Sequence, residues 1–401
     1  MAAIISLLSL VCPALAFVFI VLYFRKTKNS ALSALLFGLM MAAVFYGYRA
    51  DSGADIYRHM QWLNFYKNIP LIQCFDAGHY KNMYIWDFWC WIISRFDSPY
   101  LLQASGALVT YSLSSYIVFD TIKRNAAKSE TLVFALLFLI GLLKTRDVVL
   151  GIRSAAAYAL LSFAVYRATV QKKNLLGCLL IAMMASFIHL SAGQFLLIFL
   201  FVLIFRKDYR KVAFVLFILA VGIGALSQWI LGYIPTDGNI VFRIVIDALT
   251  QANDTTNMMH TLSLNAWINK WGEVAVCILA GIRVIVYEGR NGEKGAYLKE
   301  KEIWKFSWTC FAVNLGYCIA LKQNGDRMLT INEISMIPYL VSIWCNDGIM
   351  KKKKYLLMDF LLVGGVAGLF LLHVYSLVWG NASAQSLLMG IFFGVVSGFF
   401  R

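Results

Sequence analysis

The sequence predicts an all-α polytopic integral membrane protein, and three observations carry that expectation. First, 60% of the 401 residues are hydrophobic and only 14% are charged, with a mean hydropathy of +0.70. A soluble domain is nearer half apolar and a quarter charged, so this much apolar surface needs lipid as its solvent. Second, runs approaching the roughly 20 apolar residues of a membrane span recur along almost the whole chain. They leave no room for a separate soluble domain, and residues 1–401 read as one transmembrane domain. Third, 22 of the 36 Lys and Arg residues fall in six short loops between those runs.

These loops carry Arg25/Lys26/Lys28, Lys123/Arg124/Lys128, Arg167/Lys172/Lys173, Arg206/Lys207/Arg210/Lys211, Arg290/Lys294/Lys299/Lys301/Lys305 and Lys351 to Lys354. Short basic loops flanking apolar spans are the positive-inside signal of insertion. The net charge of +15 therefore reports topology and affinity for anionic lipid, with no nucleic-acid partner implied. Eight cysteines are scattered without a CxxC or a Cys/His cluster, which argues against a metal or redox centre. Cys74 and Cys90 share one polar segment and are the pair to watch.

Placing the basic loops in the cytoplasm orders the rest. A first span over 4–24, with its basic residues after it, reads as an uncleaved helix whose N-terminus is outside. A second, over 31–48, returns to the outer face at Arg49. The stretch 49–98 is polar and aromatic; within it Tyr80–Phe96 is amphipathic and reads as an interfacial or re-entrant helix. Spans follow at 99–119, 130–143, 149–166, 174–189, 191–205 and 211–231. After an outer segment at 232–266 come 267–287, 303–321, 327–345, 355–376 and 383–400. That makes roughly thirteen crossings and puts the C-terminus inside. No internal repeat is evident, which weakens a transporter built from inverted halves.

The charges that topology does not explain gather on the outer side. Arginines and carboxylates near lipid cost several kcal/mol unless they pair, snorkel or serve a site. Arg49, Asp51, Asp55, Tyr57 and Arg58 follow the second span. Lys144, Arg146 and Asp147 precede Gly151-Ile152-Arg153-Ser154, which opens another span. Arg153 thus sits near a helix N-terminus, where backbone N–H groups already favour an anion. His189 joins two spans in His189-Leu190-Ser191-Ala192, Arg327 opens a late span, and Arg243 lies in the second outer segment. All five histidines (59, 79, 189, 260 and 373) fall on or near this face. An arginine fork matches phosphate oxygens bidentately, so several converging arginines would clamp a diphosphate beside a lipid tail. The aromatic residues of the outer segment, among them Tyr66, Trp86 and Trp91, read for the most part as interfacial anchors, with sugar stacking as the alternative.

At these stretches the chain resembles the EpsG-like branch of the Wzy-type polysaccharide and O-antigen polymerases. The resemblance rests on Arg49 with Gly53-Ala54-Asp55-Ile56-Tyr57, on Arg153-Ser154-Ala155-Ala156-Ala157, on His189-Leu190-Ser191-Ala192 and on Arg327. Ile56 stands where the family has an aromatic residue, and Ser154 where it has Gln. The resemblance implies a GT-C-like membrane fold and glycosyl transfer outside the cytoplasm. Donor and acceptor would be polyprenyl-diphosphate-linked glycans, with a chain-length regulator as a further partner and no metal or other cofactor. It assigns the diphosphate to Arg49, Arg153 and Arg327, with Arg146 and Arg243 in reserve, and the base to His189 or Asp55. Asp51, Tyr57 and Arg58 would contact the rest of the substrate. A ligase using the same carrier, or a flippase for lipid-linked oligosaccharide, are the competing expectations.

Overall fold

The computed structural model describes the chain except for residues 49–54, 76–82, 127–128, 144, 150, 234–263, 297–298, 321–327, 348–352, 381–383 and 397–401. The described residues are helical throughout, with no strand among them. In chain order the helices begin with α1 (Ala2–Val11), α2 (Pro13–Thr27), α3 (Ser30–Tyr46), α4 (Asp55–Lys67), α5 (Leu71–Cys74) and α6 (Tyr84–Ile93). Next are α7 (Leu101–Arg124), α8 (Ser129–Leu142), α9 (Thr145–Val149), α10 (Ile152–Thr169), α11 (Leu175–Ile188), α12 (Ser191–Ile204) and α13 (Tyr209–Tyr233). The last five are α14 (Leu264–Ala296), α15 (Lys301–Ala320), α16 (Thr330–Asp347), α17 (Lys353–Gly380) and α18 (Ala384–Phe393).

Two of these, over Tyr209–Leu226 and Leu356–Tyr375, are long and apolar enough to cross a membrane. Large apolar side chains also lie exposed on other helices, including Leu7, Leu35, Leu176 and Ile204. Exposed apolar side chains on this many helices suit contact with lipid or a partner.

The single first helix expected over 4–24 is broken. Pro13 occupies the first position of α2, and Cys12 before it takes φ −144° and ψ 78°. A proline ring excludes the helical region for the preceding residue, so α1 and α2 meet at a kink. The amphipathic helix expected over 80–96 is shorter, Tyr84–Ile93, and α4 and α5 precede it in the same segment.

The core is built around α16, which is buried continuously from Thr330 to Trp344. It packs against α7, α8, α10, α14 and α15. α3 lies against α7 at close range, because Gly38 presents no side chain there. A Cβ on Gly38 would meet Leu108 O at 2.8 Å, and the Ser112 hydroxyl closer still. Small residues at such crossings let two backbones approach.

Among the described residues, the second to fifth basic loops meet at one end of the bundle. There Arg206 pairs with Glu302 at 3.8 Å, Lys301 with Glu288 at 3.0 Å, and the Arg124 guanidinium donates to Val170 O at 3.4 Å. Asn125 reaches Ser342 at 3.1 Å, and Tyr339 donates to Glu288 at 2.9 Å. At the opposite end Gln103, early in α7, donates to Phe45 O and to Tyr48 O, the latter at 2.7 Å, tying down the exit of α3. This opposite end carries α4, α6 and the start of α10.

Candidate active site

The site is assembled on a hairpin whose local logic is plain. Along α4, Ile56, His59, Leu63 and Tyr66 are buried, and their spacing makes one helical stripe. Along α6 the buried set is Trp86, Asp87, Cys90 and Ile93. The two stripes face each other. His59 meets Trp86 edge-on at 5.5 Å, and the Tyr66 hydroxyl donates to Asp87 Oδ1 at 2.5 Å. Arg95 closes the hairpin by donating to Tyr66 O, Lys67 O and Ile69 O at 2.7, 3.0 and 2.9 Å. These carbonyls lie at or just beyond the C-terminus of α4, where acceptors lack helical partners. The Arg95 guanidinium also lies 4.2 Å over the Trp91 ring, so this arginine is consumed by structure.

Arg153 opens α10 and reaches this hairpin. Its guanidinium lies 5.9 Å from the Trp86 ring centroid, the range of a cation–π contact, with Nη1 3.2 Å from Met83 Sδ. Tyr84, the next residue, meets Phe187 of α11 at 5.9 Å. The N-terminal end of α6 thus touches Arg153 on one side and the approach to His189 on the other.

His189 caps α11 in an extended conformation, φ −150° and ψ 121°, and hands the chain to α12. Its Nδ1 lies 2.5 Å from Ser191 Oγ, which in turn lies 2.6 Å from the Tyr158 hydroxyl on α10. The Tyr158 ring meets His189 edge-on at 6.2 Å. If Nδ1 donates to Ser191, the lone pair of the imidazole sits on Nε2, the form a general base needs.

The structure therefore places Arg153 and the residues just before His189 against the same end of α6. Tyr57 and Arg58 are exposed on α4. Asp55 begins α4 and Arg146 lies in α9; the side chains of both fall outside what is described. Arg49, Asp51, Arg243 and Arg327 lie outside the described residues, as do His79 and His260. His373 is not a surface group: it is buried between α14 and α17 with Nε2 3.3 Å from Glu273. Cys74 and Cys90 are both buried thiols. Burial first, and then the Asp87 charge, pushes Cys74 up to about 11 and Cys90 well above the ordinary thiol value.

Sequence reasoning missed Tyr158 and Asp87 as members of the site, and named Trp86 only among the aromatic residues of the outer segment. Tyr158 had a signal, as the one large polar side chain in an otherwise Ala-rich turn after Arg153. It also missed Arg283, fully buried on α14, which donates to Asp359 at 2.9 Å and Asp347 at 3.4 Å near the basic end. An arginine inside an apolar run is itself a signal of a partner. No family model, curated protein or solved structure matches this chain.

Proposed function

We propose that this chain is a multi-pass inner-membrane glycosyltransferase that polymerises polyprenyl-diphosphate-linked oligosaccharide repeat units. In this reading the helices make about thirteen crossings, the basic loops face the cytoplasm, and α4–α6 face the periplasm with the N-terminus. The C-terminus is cytoplasmic. The observation that carries the reading is the juxtaposition of Arg153 and the His189–Ser191–Tyr158 chain across the end of α6.

The acceptor's sugar hydroxyl attacks the anomeric carbon of the donor glycan. A new glycosidic C–O bond forms as the bond to the diphosphate oxygen breaks, and polyprenyl diphosphate departs with the electron pair. His189 Nε2 takes the hydroxyl proton, with Ser191 and Tyr158 fixing the ring's tautomer and orientation. The Arg153 fork neutralises charge growing on the leaving group. The buried Trp86 indole N–H has no hydrogen-bond partner among the described residues, and its ring lies beside that fork as a further donor in this reading. Arg49 and Arg327 complete the clamp in this reading: Arg49 follows the α3 exit, and Arg327 precedes Met328, whose Sδ accepts from Gln194 at 3.3 Å. Arg146 and Arg243 are the reserve cations, and Asp55 is the alternative base.

The test is polymer-ladder formation in cells lacking their own polymerase, complemented with wild type, Arg153→Lys or Arg153→Ala at matched membrane levels. Wild type is expected to build a ladder while both variants leave single repeat units, because a lysine point charge cannot replace a bidentate fork. Normal ladders from both variants would remove Arg153 from the clamp. A wild type that never lengthens a repeat unit would sink the polymerase reading.

A further inference from the structure

A cleft of about 270 Å³ opens between α4 and the turn that joins α6 to α7. It lies on the solvent side of α4, behind the stripe that packs on α6. Its floor and walls combine two kinds of group. Tyr57, Phe96 and Tyr100 supply aromatic surface, while Gln61 and Asn64 supply amides with a donor and an acceptor each. Tyr57, Gln61 and Asn64 recur at helical spacing, so α4 offers them as one row. They are all exposed, in contrast to Ile56, His59 and Tyr66 on its other face, and the buried Leu63 lines the cleft between the two.

At the rim Lys67 pairs with Asp97 at 3.3 Å, with side-chain exposures of 55% and 99%. An ion pair so exposed contributes little and parts easily, leaving a cation and a carboxylate for hydroxyl groups. The opposite wall is built in advance. Tyr46 and Ser98 share a hydrogen bond of 3.0 Å, and the Tyr46 ring meets Tyr100 edge-on at 6.4 Å.

We propose that this cleft is a saccharide-binding subsite, and that it takes sugar of the lipid-linked acceptor. Aromatic faces accept the C–H face of a pyranose ring, and side-chain amides bridge vicinal hydroxyls with donor and acceptor together. The volume is near the lower bound of small-molecule sites, roughly 300 Å³, which suits a monosaccharide and part of its neighbour. The assignment to acceptor rests on the polymerase reading above. It agrees with the placement: His59 on the back of α4 meets Trp86 at 5.5 Å, and Trp86 lies 5.9 Å from Arg153, so a helix diameter of about 10 Å plus these two contacts separates cleft from clamp. An oligosaccharide crosses that distance and a single sugar does not.

The experiment uses the full chain in nanodiscs and saturation-transfer NMR. The probes are free hexoses, 6-deoxyhexoses, N-acetylhexosamines and their short oligosaccharides, with glycerol phosphate as the lipid-headgroup control. The expected result is transfer from the protein to at least one sugar, weakened about tenfold in Tyr57→Ala and in Asn64→Ala. Both residues are exposed, so the fold should survive, and gel filtration checks it. Arg153→Ala is expected to keep the sugar signal while losing the ladder. No transfer to any sugar, an unchanged signal in both cleft variants, or displacement by glycerol phosphate at equal concentration would each overturn the subsite. Sugar binding that depends on Tyr57, without any ladder from wild type, would keep the cleft and remove the polymerase. A ladder that Tyr57→Ala and Asn64→Ala leave intact would keep the polymerase and remove the cleft.

Discussion

Replacing Arg283 with Met tests how this chain holds charge inside its helices. Arg283 has no exposed side-chain surface; its Nε lies 2.9 Å from Asp359 and its Nη2 3.4 Å from Asp347. At an effective dielectric constant of about 20, those separations correspond to Coulomb attractions of roughly 6 and 5 kcal/mol. Desolvation of the three groups offsets most of that sum, so the net value of the network is small while the cost of breaking it is not. Arg283→Met leaves two carboxylates enclosed and facing each other, and loss of one member of a buried pair costs about 3–5 kcal/mol. Asp347→Asn/Asp359→Asn removes the charges that Arg283 balances. Combined with Arg283→Met it leaves a neutral cluster, so Met should then cost less than about 1 kcal/mol. The coupling expected from the cycle is therefore at least about 2 kcal/mol. Equilibrium unfolding of the purified chain in mixed micelles, followed by tryptophan fluorescence, measures all four variants. An Arg283→Met variant as stable as wild type, or one equally damaged in both backgrounds, would refute the ion-network account.

Two further outcomes bear on the candidate site and its hairpin. Tyr158→Phe removes the far hydroxyl of the His189 chain and nothing else. Ladder formation should slow by up to about tenfold, the value of one neutral hydrogen bond, whereas His189→Ala should lose about 10²–10⁴; a Tyr158→Phe enzyme indistinguishable from wild type would remove Tyr158 from that chain. Cys74, pushed up to about 11, stays a protonated thiol at pH 8, and so does Cys90. Maleimide should label neither in the folded chain at that pH, with Cys74 gaining reactivity only as pH climbs toward its raised value, and rapid labelling at pH 7 would contradict the burial described here.

What could be read from the sequence divides along the range of the interactions. Helix positions were legible because hydropathy is a local property: the expected 31–48, 174–189 and 191–205 segments correspond to Ser30–Tyr46, Leu175–Ile188 and Ser191–Ile204. The break at Pro13 was equally local, yet the mean hydropathy of residues 4–24 concealed it. α4 carries a clear stripe in Ile56, His59, Leu63 and Tyr66, but its polar opposite face kept it below any apolar criterion. Arg153 and His189 were found because a charge or an imidazole at the end of an apolar run is anomalous where it stands. Their partners were not found, since Tyr158 joins Ser191 across 33 residues and Arg283 joins Asp359 across 76. No periodicity records such a pairing.

The three arginines described in detail show why charge alone does not identify a site. Each guanidinium offers the same planar fork, and the partner decides its use. Arg95 spends its donors on three backbone carbonyls, and its product is a closed hairpin. Arg283 faces two carboxylates with no access to solvent, and its product is a cohesive helix trio. Arg153 is only half-buried, and two of the contacts that hold it are a ring face and a thioether. Those two contacts orient the fork. The same contrast separates the histidines: His373 is enclosed against Glu273, while His189 stands between two helices on a hydroxyl chain. In the proposed reading, the contacts of Arg153 and His189 orient each group toward a substrate, whereas those of Arg95 and Arg283 hold one helix to another.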